Sequence, residues 1–403
     1  MKNRMIMGIL SLALMFSLLF SLSGCGASAR AADLMAGVKA SGVSADVDLT
    51  GGDSTAGFAV KLFQNSVPAA KNTLVSPLSV LCALAMTANG AKGETLTQME
   101  EAFGLSVQEL NDYLHAYLER LPSEDKYKLS VADSIWFRDD DKLTVKQSFL
   151  QTNADYYGAS IYKVSDNTDG MIQNILDKIP DGAVMYLINA LAFDAEWDNI
   201  YKESQVHDGA FTTESGEKRD VEMMYGSENR YLDDGNATGF LKYYADRKYA
   251  FAALLPNEGV SIEDYAASLT GEGLMNTLDN AQNAEVETAV PKFESEYSVE
   301  MSDILKSMGM ANAFNVNMAD FTGLGKSEAG NIFISRVIHK TYIAVDEKGT
   351  RAGAATVVEN SAGSAAPAEE PKIVYLDRPF VYMLIDCETN LPIFIGTTMD
   401  IAR

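Results

Sequence analysis

The order of apolar and polar positions divides the chain into helix-like segments followed by strand-like segments. Apolar residues recur at helical spacing in STAGFAVKLFQNS, SPLSVLCALAMTANGA and SVQELNDYLHAYLERL, which predicts three helices. Short apolar runs predict strands in KLSVADSIWF, YGASIYKV, YAFAALLP, KIVYL and PFVYMLI. MYLINALAF is apolar at almost every position, which is too apolar for a half-exposed strand and predicts a central one. Helices early and strands late favour one large α+β domain over βαβ repeats.

Composition limits the classes of function. The chain has 403 residues, of which 47% are apolar and 22% charged, so it can build a large core. A formal charge of −24 argues against nucleic acid or an anionic membrane surface as a partner. No HExxH, CxxC, GxSxG or Walker motif is present, and the sequence predicts neither an enzyme nor a cofactor or metal.

The first residues have the pattern of a secretory signal. Lys2 and Arg4 precede an apolar run over 6–22, and Leu-Ser-Gly-Cys follows, ending at Cys25. This tetrapeptide resembles the bacterial lipobox, in which the cysteine becomes lipidated and forms the new N-terminus. Residues 1–24 are then a lipoprotein signal peptide, and acyl chains at ~0.8 kcal/mol per buried CH₂ anchor the protein outside the cell membrane. The alternatives are an incidental cysteine after an ordinary signal, or an uncleaved membrane helix.

The rest of the chain divides into a tether and a folded domain. Residues 25–53 are mostly small and polar and predict a flexible tether, with a reach of roughly 30 Å. Residues 54–403 form the predicted domain. Cys82 and Cys387 lie within apolar runs, which favours buried thiols over a disulfide.

A bland segment, EKGTRAGAATVVENSAGSAAPAEE, lies between two predicted strands near the C-terminus. It spans about 347–370 and contains no aromatic residue. One interpretation is a linker. The other is a segment that is cut and then becomes a strand.

Four polar residues interrupt apolar runs. Ser76 and Ser79 flank Pro77, Asn189 lies in MYLINALAF, and His339 follows SRVI. Buried polar groups without hydrogen bonds cost on the order of 1–3 kcal/mol each. These residues are either ordinary helix caps and a surface histidine, or one buried cluster under a central strand.

Several segments, in order, resemble the serpin family of serine protease inhibitors. The matching stretches are NTLVSPLSVLCALAMTANGAKGETLTQM, YLINALAFDAEW, LLPNEG, VPKFESEY, MGMANAF, ADFTGL, ISRVIHKTYIAVDEKGTRAGAAT and DRPFVYMLID followed by LPIFIG. They cover residues 54–396. The resemblance implies a large central β-sheet with further sheets, surrounding helices and an exposed reactive-centre loop at about 347–370.

The resemblance also implies roles for individual residues. A hydrogen-bonded shutter behind the central sheet would comprise Ser76, Ser79, Asn189 and His339. The breach, where the sheet opens, would contain Trp197 and a salt bridge between Lys292 and Glu347. The loop is expected to be cut by a protease, to hold it as an acyl-enzyme, and to insert into the sheet. The hinge of that insertion would comprise Glu347, Gly349, Thr350, Ala352, Ala354 and Thr356.

The residues of the loop fit this expectation independently of the family. An inserted strand alternates its faces, and the inward set Thr350, Ala352, Ala354, Thr356 and Val358 is small or β-branched and uncharged. Gly349 offers a permissive hinge. Arg351 and Glu359 both fall on the outward set.

Family spacing puts the reactive bond at Gly363-Ser364, or one place either way at Ala362 or Ser364. All these residues are small, which predicts elastase-like or subtilisin-like target proteases. We further expect a monomer that contacts the membrane only through its lipid.

One departure from the family concerns a helix. Between YGASIYKVS and Thr168 only Asp166 and Asn167 intervene, so the helix that crosses the front of the central sheet is expected to be missing. Two hypotheses follow. The first is an inhibitor consumed one-for-one with its protease, and the second is a non-inhibitory protein of the same fold that is cleaved as a substrate or binds a partner.

Overall fold

The computed structural model describes residues 32–43, 47, 49, 53–67, 71–121, 123–124, 127–138, 142–164, 185–328, 330–350 and 370–401. Seven residues with predicted roles lie outside this part of the chain: Cys25, Ala352, Ala354, Thr356, Ala362, Gly363 and Ser364. The segment expected to lack a helix, within 165–184, also lies outside it.

The described residues form helices and strands that alternate irregularly along the chain. The helices are α1 (Asp53–Ser66), α2 (Pro77–Ala88), α3 (Gly93–Phe103), α4 (Val107–Glu119), α5 (Gln147–Tyr157), α6 (Ile262–Ser268), α7 (Gly271–Asp279) and α8 (Ser302–Ser307). The first strands are β1 (Ala32–Asp33), β2 (Thr73–Val75), β3 (Ser123–Glu124), β4 (Tyr127–Arg138), β5 (Leu143–Val145), β6 (Ser160–Val164), β7 (Met185–Glu196), β8 (Val206–Thr212), β9 (Lys218–Asp233) and β10 (Ala237–Tyr243). The remaining strands are β11 (Tyr249–Pro256), β12 (Gln282–Pro291), β13 (Phe293–Glu300), β14 (Gly325–Ser327), β15 (Ile334–Val345), β16 (Gly349–Thr350), β17 (Lys372–Tyr375), β18 (Phe380–Asp386) and β19 (Pro392–Thr398).

Two large sheets contain most of these strands. Among the described residues, the first sheet has the order β1-β6-β4-β7-β16-β15-β13, with β3 paired to β4. The second has the order β17-β12-β9-β10-β11-β18-β19-β2, with β8 paired to β9. Every residue of α2 is buried, and α2 contacts β4, β7 and β19, so it packs between the two sheets. The predicted α+β class is confirmed.

The pattern of apolar residues located the central elements correctly. The segment MYLINALAF forms most of β7, which pairs antiparallel with β4 and parallel with β15. The predicted helices coincide with α1, α2 and α4, and each predicted strand is observed. Cys82 is buried and Cys387 half-buried, and both thiols are free. No helix among the described residues has the length and apolar character needed to cross a membrane.

Strands β7 and β15 are paired at one end and separated at the other. Residues from Met185 to Ala190 pair directly with residues from Ile334 to Lys340. Further along β7, the two residues of β16 lie between the strands instead, with Thr350 opposite both Ala195 and Val345. The first sheet is therefore closed at one end and holds the start of an extra strand at the other.

The predicted tether over 25–53 does not describe residues 32–43. Strand β1 pairs with the edge strand β6, and the side chain of Asp155 on α5 accepts a hydrogen bond from the Ser41 amide at 2.7 Å. The apolar side chains of Leu34, Met35 and Val38 pack against the core. The sequence did not indicate this packing, because the three apolar residues lie in a segment composed mostly of small and polar residues.

Candidate functional site

Strand β16, within the predicted hinge, begins with a glycine that the local geometry requires. Gly349 pairs with Glu196 at the end of β7. A Cβ atom at this position would lie 2.0 Å from the carbonyl oxygen of Ala195 and 2.9 Å from Cα of Glu196. No side chain can be accommodated at such distances without moving backbone, so only glycine allows β16 to enter the sheet here.

Thr350 is the first hinge residue whose side chain points into the core. It is 1% exposed, and its hydroxyl hydrogen-bonds the hydroxyl of Tyr244. Because strand side chains alternate, this orientation determines which later residues would face the core if β16 were extended.

Backbone contacts around Trp197 hold the turn that precedes β16. The Trp197 amide donates to the carbonyl of Lys348 and its indole N–H donates to the carbonyl of Asp346, both at 2.9 Å. The amide of Tyr201 donates to the carbonyl of Glu347 at 2.9 Å. The Trp197 ring is 2% exposed and stacks on Tyr244 with centroids 4.4 Å apart.

The predicted salt bridge is present beside this turn. Lys292 Nζ lies 2.8 Å from Glu347 Oε2 and 3.5 Å from Glu222 Oε1. Partial burial acts to raise the pKa of Glu347, but the hydrogen bonds to its carboxylate and the charges of Lys292 and Lys348 together outweigh burial, and the pKa is lowered. About a third of the Glu347 side chain is exposed, so solvent screens the pair and its net contribution is small.

A buried lysine below Trp197 was not identified from the sequence. Lys242 is 3% exposed and pairs with Glu228 at 2.8 Å. Its ammonium lies 4.2 Å from the ring centroid of Tyr201 and 5.3 Å from that of Trp197. This cation therefore supports both residues that bond the hinge backbone. A lysine within the otherwise apolar run GFLKYY was the available signal.

The four predicted shutter residues form one hydrogen-bonded cluster behind the sheet. Ser76 caps α2, and its backbone N–H donates to His339 Nε2 at 3.1 Å. His339 Nδ1 contacts Asn189 Oδ1, which also accepts from the Ser79 hydroxyl at 3.0 Å. Since Nε2 accepts a hydrogen bond, the proton of a neutral ring lies on Nδ1, which donates to Asn189. All four side chains are at most 1% exposed.

Asp133 joins this cluster and was not identified from the sequence. It lies opposite Asn189 in the β4–β7 pair, and Ser79 Oγ is 3.5 Å from its carboxylate. Burial raises the pKa of Asp133 well above its ordinary value, whereas burial lowers the pKa of His339 to about 3. Both shifts favour the uncharged form, so the cluster joins the sheet to α2 without a buried charge.

The comparisons with known proteins agree with this geometry. A family model described as "Serpin (serine protease inhibitor)" matches residues 53–401. An uncharacterized serpin-like protein of Thermococcus kodakarensis is 28% identical over 365 residues, which cover 85% of this chain and 84% of that protein. Human Serpin B9 is also 28% identical, over 81% of this chain and 92% of its own length.

Two crystal structures of the thermophilic serpin tengpin allow a comparison of states. The native-state structure matches with a TM-score of 0.86 and 45% identity over 92% of this chain and all of its own. The latent-state structure matches with a TM-score of 0.77 and 42% identity over 89% of this chain and all of its own. Of these two structures, the native-state one has the higher TM-score with this chain.

The first prediction concerns the pH dependence contributed by His339. The ordinary pKa of an unfolded histidine is about 6.5, and in the fold it is about 3. The unfolded chain thus binds more protons between these values, so the stability contributed by the neutral ring is full above pH 6.5 and is lost as the pH falls. Between pH 6 and 4, the unfolding free energy of wild type relative to His339→Gln should fall by about 1.4 kcal/mol per pH unit.

Urea unfolding at each pH measures this difference, and Asp133→Asn is the matched variant. The raised pKa of Asp133 has the opposite effect on stability. The stability contributed by its protonated carboxyl is present below the pKa of the unfolded chain and is lost as the pH rises. The stability differences of the two variants from wild type should therefore slope in opposite directions. Parallel profiles for all three proteins would show that the cluster does not exclude charge.

The second prediction concerns Gly349→Ala. The added methyl group would overlap the Ala195 carbonyl, so β16 should leave the sheet and release its contacts. The amides of Trp197 and Tyr201, which donate to hinge carbonyls, should then exchange hydrogen faster. Gly57→Ala on α1 is the control, because no atom lies within 4 Å of its added Cβ. Unchanged exchange at both amides in Gly349→Ala would contradict the proposed fit.

Proposed function

Because this chain belongs to the serpin family, we propose that it is a suicide-substrate inhibitor of serine proteases that cleave after small residues. The observation that carries the proposal is the half-open slot between β7 and β15, which already holds the first two residues of the loop. A strand that has begun to enter a sheet can continue to enter it once its far end is released.

The register of β16 defines where the loop would go. Continuing the same antiparallel register from Thr350 along both neighbours brings Thr356 opposite Asn189 and His339. Those two residues are now paired with each other across β7 and β15. Insertion to this depth therefore requires the shutter contact to break, and each backbone group released finds a partner on the new strand.

The residues of β7 and β15 that would flank the inserted loop explain why its inward-facing residues are small and uncharged. In the continued register, Ala352 would lie between Phe193 and Ile343, and Ala354 between Leu191 and Thr341. All four neighbours are buried. Small, uncharged side chains fit such sites, whereas a charge there would be desolvated without a partner.

The chemistry proceeds at the reactive bond, among Ala362, Gly363 and Ser364. The protease serine oxygen adds to the carbonyl carbon of the residue before the bond, and the amine after it leaves with a proton, giving an ester. Water would normally hydrolyse this ester. Insertion of the loop carries the attached protease along the sheet, so the inhibitor traps it when insertion outpaces hydrolysis. If hydrolysis is faster, the protein is only a substrate, which is the alternative function.

We also propose a location. Cys25, in Leu-Ser-Gly-Cys, would carry the lipid that holds the protein at the outer face of a bacterial cell membrane. The inhibitor would then protect the surface on which it stands. It would act as a monomer, since the slot and the loop belong to one chain.

The third prediction tests insertion with one substitution at two adjacent positions. Ala354→Arg would bury an unpaired charge between Leu191 and Thr341, at a cost of several kcal/mol. Ala355→Arg places the same charge on the opposite face of the strand and serves as the control. With an elastase-like protease, the covalent adduct on a denaturing gel should disappear in the first variant and persist in the second. Loop cleavage should continue in both.

Mass spectrometry of the released C-terminal peptide locates the bond in the same experiment. We expect cleavage between Asn360 and Pro367, and no cleavage by trypsin within that range. Equal adduct yields from the two Arg variants would refute strand insertion. Cleavage of wild type without any adduct would favour the substrate alternative.

The fourth prediction concerns the anchor. Cys25→Ala removes the only thiol in the tetrapeptide that a lipid could modify. The protein should move from the membrane to the soluble fraction, as followed by fractionation and immunoblotting. Cys387→Ala, which removes a thiol of the folded domain, should leave the distribution unchanged. Membrane retention of Cys25→Ala would exclude the lipid anchor.

A further inference from the structure

Strand β17 exposes large apolar side chains directly after the loop. Ile373 is 62% exposed and Tyr375 36% exposed, while Val374 between them is 1% exposed. Alternation along the strand therefore fixes Val374 in the core and both larger residues on the outer face. Burying these side chains would be favourable, yet the fold leaves them in contact with water.

The outer face of β17 continues across the neighbouring strands to the buried Ala289 and the half-buried Tyr225. Ala289 on β12 pairs with both Tyr225 on β9 and Tyr375 on β17, so these positions form one row. The rings of Tyr375 and Tyr225 lie 6.2 Å apart edge to face, and the ring of the exposed His207 lies 5.9 Å from Tyr225. We call His207, Tyr225, Ile373 and Tyr375 the β17 patch.

The β17 patch is held rigidly. Strand β17 makes four register pairs with β12, from Lys372 to Tyr375. The hydroxyl of Tyr375 donates to Glu287 at 3.3 Å. Rigid aromatic side chains bind with a small loss of conformational entropy, and tyrosine is enriched among residues that dominate binding energy.

The length of chain between the patch and the reactive bond limits what can cover it. From Ser364 to Ile373 the chain runs nine residues, which span at most about 30 Å when extended. A serine protease of about 230 residues is about 45 Å across, from the scaling of compact domains. A protease that holds the reactive bond is therefore wider than the longest distance from that bond to the patch.

We propose that the β17 patch is a docking surface for the body of the target protease, outside its active-site cleft. The partner is a serine protease that carries a complementary apolar area beside its cleft. The formal charge of −24 further favours a protease with a basic surface in the encounter. The proposal rests on one part of the proposed function, namely that a serine protease cuts the loop. It does not require that the protease then be trapped as a covalent adduct.

The test measures the rate of loop cleavage and not the adduct. The double variant Ile373→Ser/Tyr375→Ser should be cut by an elastase-like protease with a second-order rate constant at least about tenfold lower than that of wild type. The fraction of cut protein that forms adduct should not change, because the patch lies on the second sheet and insertion occurs in the first. A synthetic peptide of residues 351–370, which lacks the patch, gives the reference rate for the loop alone.

The control variant is Val316→Ser/Met318→Ser. These two residues are the other large apolar side chains exposed among the described residues, at 48% and 59%. They lie before β14, which pairs with β5 outside the second sheet. The control should be cut at the wild-type rate, and thermal melting of both double variants should match wild type, which confirms that both are folded.

Two results would overturn the proposal. The patch variant could be cut as fast as wild type, or the loop could resist every protease tested. A change in the oligomeric state of the patch variant by light scattering, with an unchanged cleavage rate, would make the patch a self-association surface instead. If wild type is cut without adduct, the proposed function fails, but the difference in cleavage rate still decides the role of the patch.

Discussion

The structure depends on one competition, between direct pairing of β7 with β15 and insertion of a third strand between them. The same backbone groups of both strands serve either arrangement, so the two exclude each other position by position. Direct pairing is present from Met185 to Ala190, and the third strand is present at Thr350. The described residues therefore contain both arrangements at once, and the boundary between them lies within β7. Movement of that boundary is the conformational change that the fold can make.

The two ends of the slot differ in how far their polar groups are exposed to water. At the open end, Lys292, Glu222 and Glu347 form ion pairs in partial contact with water, which salt and local motion weaken easily. At the closed end, Asn189 and His339 meet inside an uncharged, buried network. Hydrogen bonds in a buried network strengthen one another, so the loss of one bond weakens the others. The open end can thus loosen gradually, whereas the closed end resists until a residue of the new strand replaces the contact.

Sequence reasoning succeeded where burial leaves a periodic trace and failed where contacts join distant residues. The continuous apolar run of β7 and the helical spacing of α2 predicted two of the three elements that hold the shutter; the third is β15, which carries His339. Asp133 was overlooked because a charged residue in an alternating strand is usually solvent-facing, and only the pairing with Asn189 puts it in the cluster. Strand β16 is too short for any pattern. The packing of residues 32–43 depends on the edge of β6, which no local pattern reveals.

The two ends of the loop are attached to different sheets, which in the proposed mechanism separates recognition from trapping. Thr350 belongs to the first sheet, whereas the chain after Glu370 enters the second sheet as β17. Once the loop is cut, only the part joined to Thr350 can extend β16, because the other part remains bound through the pairing of β17 with β12. The β17 patch therefore keeps its position while the hinge moves. In the proposed mechanism, a surface that stays fixed during insertion contacts the protease only before its displacement, and these contacts must break as the protease is carried away.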